Sequence, residues 1–172
     1  MVAAIRAILP EEAGLLPPIE RDAAERFREV GLNTIADGEP SSEPFILSVI
    51  RKGVALGAVE VDHGLVGFAL AGELDGALHL YELSVRTAFN GQGLGSALLM
   101  GIETAAAASA LGAVTLSTFA DVPFNAPFYA RRGFVPVEIE DWGPALHLLN
   151  GAERAAGLPL DRRVFMRKEL QP

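Results

Sequence analysis

A strand that runs into three alternating glycines and then into a long apolar helix constrains this chain more than any other feature. The stretch is Leu83-Ser-Val-Arg-Thr-Ala-Phe-Asn-Gly-Gln-Gly-Leu-Gly-Ser96. Residues 77–85 (ALHLYELSV) read as a strand. Residues 94–111 place Leu94, Leu98, Ile102, Ala105, Ala106 and Leu111 on one helical stripe. Gly91, Gly93 and Gly95 lie at the junction, where the lack of a Cβ lets backbone N–H groups turn into one concavity. The helix N-terminus adds partial positive charge and donors without acceptors. Together these features predict a site for a pyrophosphate. The structural alternative is a flexible turn that only starts a helix.

The kind of phosphate ligand is narrowed by what surrounds the glycines. A nucleoside-triphosphate loop needs Lys-Ser/Thr after its last glycine, and Ser96-Ala97 stands there instead. The dinucleotide fingerprint would need a small residue, Gly or Ala, at Ser96, and an acid about 20 residues on, for which Asp121 is poorly placed. Both readings are demoted.

The flanking sequence predicts an α/β chain. A first strand is expected over 2–9, stopped by Pro10, and a helix over 18–30 ended by Gly31. A polar loop at 33–44 precedes a helix over 43–52. Strands 55–61 and 65–73 are joined by Asp62-His63-Gly64, a hairpin signal. After the long helix come a strand at 113–118, a helix at 126–132 capped by Asn125, and a strand at 134–140. A helix over 144–156 and a strand over 162–170 complete the series. No linker, repeat or low-complexity segment interrupts it, so residues 1–172 are expected to form one domain.

Composition excludes several function classes. There are no cysteines, which removes disulfides, thiolate metal sites and a cysteine nucleophile. Net charge is −8, and the largest basic cluster (Arg162, Arg163, Arg167, Lys168) is small, so no nucleic-acid partner is expected. The acidic surface leans toward cationic partners such as amines. No apolar run approaches the ~20 residues that span a bilayer, and residues 1–12 do not read as a secretory signal. A cytoplasmic location without membrane association is the expectation. His63, His79 and His147 have no ligand spacing, so no metal site is expected.

The segment Asn90-Gly91-Gln92-Gly93-Leu94-Gly95 resembles the cofactor motif of the GNAT superfamily of acyl-CoA-dependent N-acyltransferases, written Q/R-x-x-G-x-G/A, with Asn90 in place of the usual Gln or Arg. A second constellation, Asn125-Ala-Pro-Phe-Tyr129-Ala-Arg-Arg-Gly133-Phe134, is similar to the Asn and Tyr-x-x-x-Gly-Phe that close the core of that family. The resemblance covers nearly the whole chain. It implies a mixed central sheet of about seven strands flanked by helices, with strands splayed at the cofactor site.

The resemblance also implies roles. The backbone of Leu83 and Val85 would pair with the pantetheine arm of acetyl-CoA, the expected co-substrate. The segment Asn90, Gly91, Gln92, Gly93, Leu94, Gly95 and Ser96 would bind pyrophosphate, chiefly through backbone amides. Asn125 and Phe128 would lie along the pantetheine, and Arg131 or Arg132 would reach a CoA phosphate. Tyr129 matches the general acid toward the departing thiolate. With a phenol pKa of ~10 against ~8.5 for a thiol, full proton transfer costs about 2 kcal/mol, so a hydrogen bond comes first and transfer follows. An amine of pKa ~10.4 is neutral about once in 2,500 molecules at pH 7, a deficit of roughly 4–5 kcal/mol that a base recovers in part.

Glu82 is the candidate base, sharing a strand face with Leu80 and Ser84, with Glu60 and Glu73 in reserve. Phe27, the rest of 18–44, and Trp142 are candidates for lining the acceptor pocket. The acceptor is an amine on a small molecule or a protein, and a homodimer is left open. Two other functions remain: an acyl-CoA sensor without catalysis, and a regulatory domain binding NAD or ATP.

Overall fold

The computed structural model describes residues 4–171. Its strands are β1 (Ala4–Ala7), β2 (Val54–Glu60), β3 (Gly64–Leu74), β4 (Ala77–Val85), β5 (Ala113–Phe119), β6 (Val135–Pro136) and β7 (Arg163–Glu169). Its helices are α1 (Leu16–Ala24), α2 (Asn33–Ala36), α3 (Glu43–Lys52), α4 (Leu94–Ala108), α5 (Ala126–Ala130) and α6 (Pro144–Ala155). The strands form one open, mostly antiparallel sheet in the order β1-β2-β3-β4-β5-β7-β6. The mixed α/β architecture with seven strands matches the expectation. The chain packs as two compact units, Met1–Gly72 with Leu80–Ala105, and Glu73–His79 with Ala106–Pro172.

In the first unit the alternation of β2 sorts its two faces. Ala55 joins Ile8, Phe68 and Leu70 in a core closed by Leu16 and Ile19 of α1 and by Ile46 and Val49 of α3. Leu56, on the opposite face, meets α4 at Gly101, where a Cβ would lie 2.7 Å from the Leu56 side chain. An alanine at 101 would therefore force the Leu56 side chain to shift. Leu98, Ile102 and Ala106 of the stripe read from the sequence are fully buried, and Leu99 joins them.

Several boundaries differ from expectation, each for a local reason. Positions 2–3 of the expected first strand lie outside the described residues, and the strand ends at Ala7. The helix expected over 18–30 starts at Leu16 and tightens into a 3-10 stretch at Glu25–Val30. Apolar spacing of three serves both helix types, so the pattern does not separate them. Part of the polar loop, Asn33–Ala36, is helical. The expected strand 134–140 shrinks to Val135–Pro136, because proline cannot donate to a ladder and a 3-10 turn at Ile139–Asp141 follows. The helix expected over 126–132 is the single turn α5, closed by Gly133 at φ +90°.

The helix expected to reach Leu111 ends at Ala108, where the amide of Leu111 donates to Ala106 O and that of Ala110 to Ala107 O. This termination puts Ala110 at φ +57°, a conformation that a Cβ disfavours. Ala110→Gly is therefore expected to raise the unfolding free energy by about 1 kcal/mol, measurable as a higher urea midpoint. Among the described residues, no helix is long and apolar enough to cross a membrane.

Candidate active site

The glycine turn belongs to the first unit and is held in place before it begins. The amide of Arg86 donates to Val66 O at 2.8 Å, ending β4 against β3. Thr87 then ties the chain to α1: its amide donates to Asp22 Oδ2 at 2.6 Å and its hydroxyl to Asp22 O at 2.9 Å. After one 3-10 turn (Thr87–Phe89), Asn90 is extended, and Gly91 and Gly93 follow at φ +76° and +82°.

Among the described residues, chain neighbours aside, nothing lies within 4 Å of where a Cβ would stand at either glycine. Packing therefore does not require them; backbone conformation does, with a cost of roughly 1–2 kcal/mol for any other L-residue. Gly93 O accepts the amide of Ala97, so α4 starts at Leu94 and its first-turn N–H groups have no acceptor within the helix. Gln92 is exposed, whereas the Leu94 side chain is buried, so only the backbone of Leu94 is available to a ligand.

The candidate bases differ sharply in their surroundings. Glu82 lies near the end of β4, partly exposed, and accepts the hydroxyl proton of Ser84 at 2.7 Å. Leu83 and Val85, also partly exposed, alternate with them. Glu60 is committed elsewhere: it accepts the amide of Asp62 and contacts His63 Nδ1 at 3.0 Å, which hold its carboxyl below the usual range. Glu73 is exposed at the end of β3.

Within 18–44 the sequence reading missed Glu20. Burial raises its carboxyl, and it accepts the amide of Ser41 at 3.0 Å. Two ion pairs, Arg28 with Asp37 and Arg21 with Glu39, tie the same segment down. Glu20 and Ser41 are 21 positions apart, and no local pattern announces such a contact.

The second constellation lies in the second unit. Asn125 precedes α5 and its carbonyl accepts the amides of Phe128 and Tyr129, but its side chain makes no cap hydrogen bond. The expectation of a side-chain cap is thus corrected: at φ −112° and ψ −113° Asn125 departs from the extended geometry of a capping residue. Its amide is not spent on its own helix. Tyr129 is buried, with ring edges against Phe128 at 5.1 Å and Phe134 at 5.7 Å.

The two arginines that follow separate clearly. Arg132 lies over the Phe128 ring at 3.7 Å and donates to Phe128 O, a packing role, while Arg131 is exposed. Trp142 packs edge-on against Phe165 at 4.8 Å and donates to Val137 O.

Comparison with known proteins agrees with the motifs. The family model described as acetyltransferase (GNAT) domain matches residues 53–136, a span that contains the glycine turn, Asn125 and Tyr129. Over that span the chain is similar to the GNAT family. The fold is similar to that of PaiA N-acetyltransferase from Thermoplasma acidophilum, solved in complex with coenzyme A, at 18% identity and TM-score 0.70, covering 99% of this chain and 100% of that one. A GNAT acetyltransferase from Staphylococcus aureus aligns at 14% identity and TM-score 0.72, covering 99% and 100%. The ribosomal-protein-S18-alanine N-acetyltransferase of Escherichia coli aligns at 15% and 0.68, covering 99% and 96%.

Proposed function

We propose that residues 1–172 act as one N-acetyltransferase domain that moves an acetyl group from acetyl-CoA to an amine by direct attack. One observation carries this reading: two exposed glycines, held at positive φ without any steric need, open α4 inside the segment that matches the GNAT family. An unhindered turn at a helix N-terminus suits a pyrophosphate. The amides from Gly91 to Ser96 take that group, the edges of Leu83 and Val85 take the pantetheine, and Asn125, Phe128 and Arg131 complete the cofactor contacts. The acceptor is an amine on a small molecule or on a protein.

In this reading the Glu82 carboxylate takes a proton from the ammonium acceptor, directly or through one water, so that the neutral amine can attack. The new C–N bond forms at the acetyl carbonyl, the C–S bond breaks as the CoA thiolate takes the Tyr129 proton, and the second proton of the attacking nitrogen passes through water to the Tyr129 phenolate. With no cysteine in the chain, transfer needs no thioester intermediate on the protein. Holding both reactants side by side supplies much of the rate.

The test is thiol release from acetyl-CoA in the presence of spermidine, L-glutamate or an alanine-N-terminal peptide. Turnover with any of them is expected, and Tyr129→Phe should lower kcat by about 10²-fold with little change in acetyl-CoA affinity. Unchanged turnover in Tyr129→Phe would remove Tyr129 from the mechanism. Acetyl-CoA binding with no thiol release would favour a sensor.

A further inference from the structure

Ser84 is 5% exposed near the end of β4, a position where a β-branched apolar residue would suit a strand better. A buried hydroxyl is unfavourable unless it is hydrogen-bonded. Its one hydrogen bond among the described residues goes to Glu82 Oε1, at 2.7 Å. Residues two apart on a strand share a face, so the pair is built into the pleat and does not depend on a flexible loop. Donation from a hydroxyl to a carboxylate is charge-assisted, roughly twice as strong as a neutral hydrogen bond, and directional.

The Glu82 side chain has three rotatable bonds and is partly exposed. Donation from Ser84 to Oε1 restricts its rotamers, and a base must sit within about 3 Å of the proton it removes or of the bridging water. Gly67, on the neighbouring strand, keeps the backbone here tight: a Cβ at Gly67 would lie 2.9 Å from Ser84 O. The anchor for the carboxylate is therefore itself anchored.

We infer that Ser84 is a positioning residue that holds the Glu82 carboxylate in one orientation for removing a proton from the amine. The inference rests on the proposed role of Glu82 as base. Ser84 touches no reactant; it acts through Glu82, and that dependence can be measured by a double-mutant cycle.

The experiment follows thiol release from acetyl-CoA with whichever of the three amines named above turns over. Ser84→Ala is expected to lower kcat about 5- to 10-fold with KM for acetyl-CoA unchanged, and Ser84→Thr, which keeps the hydroxyl, to recover most of the loss. In a Glu82→Gln background, adding Ser84→Ala should change nothing further. Ser84→Ala lowering kcat by the same factor in the Glu82→Gln background as in the parent would overturn the inference, as would an unchanged kcat in Ser84→Ala alone. Glu82→Gln with undiminished turnover would instead remove Glu82 as the base, a failure visible without any Ser84 variant.

Discussion

Glu153→Ala is expected to lower the unfolding free energy by about 3 kcal/mol, although Glu153 belongs to neither motif. Glu153, on α6, and Arg163, on β7, are only 14% and 15% exposed. The guanidinium gives two hydrogen bonds to the carboxylate, at 2.8 and 3.3 Å, and a third to Ser117 Oγ of β5 at 3.0 Å, while Ser117 donates to Glu153. Arg163 also lies over the Phe119 ring at 4.7 Å. Removing the carboxylate leaves a mostly buried cation without its counter-charge, and that uncompensated charge dominates the loss. Glu153→Gln keeps a hydrogen-bonding group and should cost less. Urea denaturation at pH 7 measures both. A loss below about 0.5 kcal/mol for Glu153→Ala would mean that water reaches the pair, as at an exposed ion pair.

Acid should destabilise the protein through His79 before it protonates most carboxylates. His79 is 3% exposed, its Nδ1 lies 2.9 Å from Thr115 Oγ1, and burial pushes its pKa down to about 4, with Glu153 opposing in part. The unfolded chain binds this proton near pH 6.5 and the folded chain only near 4. Stability from keeping His79 neutral is therefore complete above about pH 6.5 and is lost progressively as pH falls toward 4. The shift corresponds to about 3 kcal/mol over that window. In His79→Gln, the fall in unfolding free energy between pH 7 and pH 4 should be smaller than in the parent by that amount. Equal falls in both proteins would show that His79 is protonated in the folded state.

The sequence displays what local patterns encode. The stripe of α4 repeats over enough residues to be read directly, and Gly91 and Gly93 announce their turn because few other residues tolerate positive φ. The 3-10 stretches share their spacing with α-helix, and Val135–Pro136 is too short to show a period. Long-range polar pairing is also hidden. Ser117 and Glu153 are 36 positions apart, Ser117 and Arg163 are 46, and Asp22 and Thr87 are 65, so nothing nearby marks them. Ser84, by contrast, stands two residues from Glu82, and strand alternation alone places the two on one face.

In the proposed function the glycine turn opening α4 holds the pyrophosphate of acetyl-CoA. Isothermal titration of the full chain with acetyl-CoA, with NAD and ATP as controls, tests it most directly. Saturable binding of acetyl-CoA, with neither control binding comparably, is the predicted result. No acetyl-CoA binding at millimolar concentration, or tighter binding of NAD or ATP, would contradict the account.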